Sequence, residues 1–106
     1  MRYKMQDDEE IVMRVRLADQ VPHRETGKPQ LVLKGLIAGV SCDNNDVYSL
    51  YVPTSCAADL EAVPGVERRE SSIGLYWRLP SARRWFRITR GSRGGVALVP
   101  VHSSEG

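Results

Sequence analysis

The sequence predicts an α+β domain of about six mainly antiparallel strands, with one main helix packed on one face of the sheet. Three observations lead there. Val and Ile number sixteen against seven Ala, and β-branched side chains favour strands over helices. Apolar residues alternate with polar ones in several short runs, the period of a strand with one wet face. A single stretch combines helix formers with a start and a stop signal.

Along the chain, Ile11, Met13, Val15 and Leu17 alternate with Val12, Arg14 and Arg16, which reads as a strand. Residues 19–30, with Pro22, Gly27 and Pro29, read as a polar loop. Residues 31–42 form an apolar run broken by Lys34, Gly35 and Gly39, read as a buried strand bent at a glycine. Asp43-Asn44-Asn45-Asp46 has turn chemistry and 47–52 resumes the strand pattern, so 31–52 is expected to be a hairpin.

Thr54 and Ser55 supply a hydroxyl cap for a helix at about 55–63, stopped by Pro64-Gly65. Its Cys56, Leu60 and Val63 lie at i, i+4 and i+7, a narrow stripe for packing on a sheet. Residues 66–72 read as a charged connection. Three apolar runs, 73–79, 84–90 and 96–101, then read as an antiparallel meander. One domain over 1–106 is expected, with loose ends at 1–9 and 102–106.

Composition narrows the function classes. Fifteen basic residues against thirteen acidic give a formal charge of only +2, with 42% hydrophobic and 26% charged residues. That balance excludes a polybasic arm and an acidic nucleic-acid mimic. No run approaches a membrane span, and the acidic start Asp7-Asp8-Glu9-Glu10 does not resemble a signal peptide, so a cytoplasmic location is expected. Cys42 and Cys56 make neither a disulfide framework nor a zinc site. Asp43 to Asp46 lacks the ligand spacing of a calcium loop, and no phosphate-binding glycine motif occurs. No metal and no cofactor are expected.

Charge is unevenly placed. Residues before Ser71 carry nine basic and twelve acidic groups, whereas 71–106 carry six and one, and all six are arginines. Pairing 73–79 with 84–90 through a four-residue loop at 80–83 would set Trp77 opposite Phe86 and Leu75 opposite Ile88 on an apolar face. The other face would oppose Tyr76 to Arg87 and Arg78 to Trp85. Such cation and ring pairs stabilise a sheet by themselves. Exposed, they also suit a polyanion, because rings stack on unpaired bases and guanidinium groups fork onto phosphate. Arg83, Arg90 and Arg93 sit at or beside the loops of the meander.

The candidate binding residues are therefore Tyr76, Arg78, Arg83, Trp85, Arg87, Arg90 and Arg93. The expected function is non-catalytic: docking onto an anionic macromolecule, either nucleic acid or the acidic surface of a protein or ribonucleoprotein complex. The alternative is a protein-binding inhibitor or adaptor of the anti-defence, anti-CRISPR-like type that phages use. A lesser one is a thiol enzyme using Cys56 with a histidine, His23 or His102. The run at 96–101, with Pro100 unsuited to a central strand, offers an edge through which a homodimer could pair.

Overall fold

The computed structural model describes residues 2–40, 47–72 and 74–101. Strand β1, Glu10–Pro22, is the longest element and organises the rest. On one side it pairs antiparallel with β2, Pro29–Ile37, whose other edge carries β3, Tyr48–Val52. This confirms the 31–52 hairpin, with Leu33 opposite Leu50; its turn, 43–46, and Cys42 lie outside the described residues. The expected polar loop at 19–30 shrinks to a turn, because β1 continues to Pro22 opposite Pro29. His23 Nδ1 holds that turn by accepting the N–H groups of Glu25 and Thr26.

The other side of β1 is shared by two strands. Its second half pairs with β5, Gly74–Arg78, and its first half with β6, Trp85–Arg90. β5 is flanked by β4, Glu67–Ser71, and β6 by β7, Val96–Pro100. The antiparallel α+β architecture is thus as expected, but with seven strands among the described residues. The expected meander is corrected at one joint. β5 and β6 lie end to end along β1, linked by residues 79–84, and do not pair with each other.

The cause is a bulge. The β1–β2 register shifts between Val15 and Leu17, leaving Arg16 as the extra residue. An extra residue bends a strand and increases its twist, so the two halves of β1 present different edges to the chain that follows. The bulge also breaks the alternation read from the sequence. Met13 and Val15 are fully buried, but beyond Arg16 it is Ala18 that points inward while Leu17 turns to the other face. β2 accommodates this with Gly35, where a Cβ would stand 1.8 Å from the Arg14 carbonyl oxygen.

The core lies on the inner face, where Leu31, Leu33, Trp77, Phe86 and Ile88 are all but inaccessible. It is covered by a 3-10 turn, Thr54–Cys56, running into helix α1, Ala57–Glu61. Cys56, Leu60 and Val63 are buried as the stripe requires. The expected hydroxyl cap is not made: Pro53 occupies the cap position of the turn without a side-chain bond. α1 instead docks by its carboxylates. Glu61 Oε2 accepts the buried Trp77 indole N–H at 3.0 Å, and Asp59 Oδ2 accepts the Leu98 N–H at 3.3 Å. A buried indole needs such a partner.

The edges are handled separately. Besides Asp59 on Leu98, the Cys56 thiol donates to the Val96 carbonyl at 3.4 Å, so the outward edge of β7 is covered at both residues. Pro100 shares their parity, and its missing N–H falls on that same side. The edge expected to admit a second chain is therefore not open there. β3 is covered by the N-terminal segment, with the Tyr3 N–H on the Ser49 carbonyl at 2.9 Å. Met5 enters the core at 5% exposure, so residues 2–9 are not the loose end expected; 102–106 lie outside the described residues. β4 keeps a bare edge, with Glu67, Arg68, Arg69 and Glu70 exposed along it, a charged strand that discourages pairing.

Gly35→Ala is expected to cost roughly 3 kcal/mol or more, because its methyl group would collide with backbone that cannot swing aside. Gly95→Ala, with nothing within 4 Å of the added Cβ, should leave the urea midpoint nearly unchanged. Equal midpoints for the two variants would show that the β1–β2 contact is not tight.

Candidate functional site

Strand alternation divides the surface cleanly. Leu75, Trp77, Phe86 and Ile88 point to the core, and Tyr76, Arg78 and Arg87 to the open face, as the sequence pattern indicates. Trp85, expected on the open face, is half-buried at the start of β6 and lines a cleft with the end of α1. Their expected partners are corrected by the registers. Tyr76 lies between Asp19 and Arg69, and Arg78 between Leu17 and Glu67. Trp85 lies beside Arg14, and Arg87 between Val12 and Val99. The alternating checkerboard across 73–90 is therefore not formed. Among the described residues, the cation-on-ring contact is elsewhere, with the Arg2 guanidinium 4.6 Å from the centre of the Tyr51 ring.

The arginines of the last third disperse. Arg87 Nε is 3.2 Å from Glu10 Oε2, and Arg90 Nε is 3.4 Å from Asp7 Oδ1. The acidic start thus lies over the far end of the basic half. Its own backbone is fixed by Glu9, which accepts the Tyr3 hydroxyl at 2.5 Å and the Gln6 N–H at 2.7 Å. The Tyr3 bond, then the Gln6 bond, hold the Glu9 carboxyl below its ordinary range. Arg93 is exposed in the β6–β7 loop, which closes on itself through the Gly91 N–H and the Gly95 carbonyl. Arg83 is exposed on the 79–84 link.

Two of the expected residues, Tyr76 and Arg78, come together with others in a shallow basin of about 450 Å³ on the open face. Arg16, Lys34 and Arg84 complete its charged lining, with Leu17 and Val47 as apolar floor. The bulge builds it. Arg16 is the extra residue that the register shift leaves exposed. Arg84 is the last residue of the link that crosses the gap between β5 and β6, where its carbonyl accepts the Val15 N–H at 2.7 Å. Its side chain is braced by Nε donating to the Leu79 carbonyl at 3.3 Å.

Among the described residues, the charge in this basin is only partly compensated. Lys34 pairs with Asp19 at 3.0 Å. Glu67, opposite Arg78 on the ladder, pairs with Arg69 at 3.4 Å. Among the described residues, Arg16, Arg78 and Arg84 have no carboxylate within ion-pairing distance. Three guanidinium groups and an ammonium around one phenol ring can hold phosphate-like oxygens and support a flat ring beside them. Arg16, Lys34 and Arg84 are absent from the sequence-derived set. Arg16 is hidden by an apparently unbroken alternation, and Lys34 is remote in sequence from the arginine-rich third.

Cys56 is placed for packing. At 1% exposure, burial first and the nearby Asp59 carboxylate second push its thiol from an ordinary 9.0 up to about 11. A nucleophilic thiol requires the opposite shift. Among the described residues no three metal-ligating side chains converge, and no helix is long and apolar enough to cross a membrane. Alkylation of Cys56 in the folded protein at pH 8 should be slow and should accelerate in denaturant; labelling as fast folded as unfolded would contradict its burial. No protein-family model, curated protein or solved structure matches the chain, so function has to be argued from this geometry.

Proposed function

We propose that the protein is a non-catalytic binder of nucleic acid, gripping the phosphates of a single strand with the basin on its open sheet face. The observation that carries this is the convergence of Arg16, Lys34, Arg78 and Arg84 around Tyr76, with three of the four cations lacking a carboxylate partner among the described residues. Arginine is suited to the task because its planar fork meets two oxygens of one phosphate. A ring among the cations favours unpaired bases over a duplex, whose bases are already stacked. Arg87 and Arg90 fall outside the contact surface because Glu10 and Asp7 engage them.

Binding through four phosphates should show a log–log salt slope of roughly −3, from about −0.7 per contact on single strands. Arg78→Ala should flatten that slope by about 0.7, and Arg87→Ala should leave it nearly unchanged. The measurement is fluorescence anisotropy of a labelled oligothymidylate across a salt series. Affinity independent of salt would overturn the proposal.

A second function, capping a protein partner as an inhibitor or adaptor, is favoured by one observation. Among the described residues, the large hydrophobic side chains that stay exposed, Leu36, Tyr51 and Val99, all fall on this same open face. Exposed apolar groups rimmed by arginine are common where proteins dock. It predicts that Leu36→Asp abolishes one defined protein complex, while oligonucleotide binding is absent in the wild type.

A further inference from the structure

The link 79–84 separates two concavities and sends consecutive arginines to different ones. Arg84 lines the basin. Arg83 lines a cleft of about 300 Å³ between the end of α1, the link and the end of β7. That cleft has a different chemistry from the basin. Val63, Pro64, Ala82 and Pro100 form apolar walls, Trp85 is its aromatic member, and Arg83 is its one charged residue. Small, stiff residues leave room beside the tryptophan, and about 300 Å³ is at the lower end of small-ligand sites.

We propose that this cleft receives one unstacked base of the bound strand, laid against Trp85, with Arg83 on the adjoining phosphate. The inference rests on the nucleic-acid function proposed above and extends it from the backbone to the base. Three features support this occupant. The cleft is apolar with a single cation at one side, matching a flat ring joined to one phosphate. It adjoins the basin through adjacent residues of one link, so a strand leaving Arg84 meets Arg83 next. Apart from Arg83, its side chains offer no hydrogen-bonding group besides the Trp85 indole, so any base is accepted and no sequence preference results.

The test compares an oligothymidylate with an abasic phosphodiester of equal length, by anisotropy and by tryptophan emission. Trp77 is 1% exposed and bonded to Glu61, so a change in emission on binding reports Trp85. The oligothymidylate is expected to bind roughly tenfold more tightly than the abasic chain and to quench emission, as stacking of one base supplies. Trp85→Ala should reduce that difference by roughly tenfold and abolish the quenching, while leaving abasic affinity intact, any remaining preference being that of Tyr76 in the basin. Ala82→Leu, an exposed substitution that fills the cleft without touching the core, should do the same if Trp85→Ala does not fold. A Trp85→Ala variant that keeps the wild-type preference for oligothymidylate would overturn the cleft and leave the basin standing. Binding of neither would overturn both.

Discussion

The rest of the molecule depends on the bulge at Arg16. A straight β1 would offer one continuous edge, and the chain after Arg78 could simply turn back on itself. Because β1 carries an extra residue opposite Gly35, the ladder on its far side is interrupted. Residues 79–84 bridge the interruption, held by the bond from the Val15 N–H to the Arg84 carbonyl. The same local event exposes Arg16, positions Arg84, and keeps β5 and β6 in line. Fold and candidate site therefore share one origin, and Gly35 is the residue that lets the two backbones approach closely enough for it to exist.

Much of this was legible in the sequence, and the failures share a physical reason. Alternation reports which way a side chain points, and it assigned the faces of Leu75, Tyr76, Trp77 and Arg78, and of Phe86, Arg87 and Ile88, correctly; Trp85, at the end of its strand, lies against the end of α1. It carries no information on which strand lies alongside, so the proposed pairing of β5 with β6 was wrong although those faces were right. A bulge is worse than silent, because Ile11, Met13, Val15 and Leu17 continue a regular pattern through a point where the structure does not. β4 escaped notice because all five of its residues are exposed, so it has no apolar face to betray it. The helix stripe was readable because Cys56, Leu60 and Val63 must all be buried together.

The electrostatics carry the same lesson about averages. A formal charge of +2 conceals a basic C-terminal third, and that third in turn conceals a division of labour. Arg87 and Arg90 are engaged by Glu10 and Asp7 from the start of the chain, a neutralisation across the whole sequence that no local count can show. Of the four that remain, Arg78 and Arg84 meet Arg16 and Lys34 from the first third in one basin, while Arg83 and Arg93 lie outside it. The excess of arginine over lysine matters at these positions, where a planar fork can hold phosphate oxygens.

The most direct measurement is an amide NMR titration of the isotopically labelled protein with oligothymidylate. The account predicts that shifted resonances cluster at residues 14–17, 34, 76–78 and 83–85, tracing the bulge and the link that crosses it. Shifts confined to the β6–β7 loop around Arg93, or to the charged edge of β4, would contradict it.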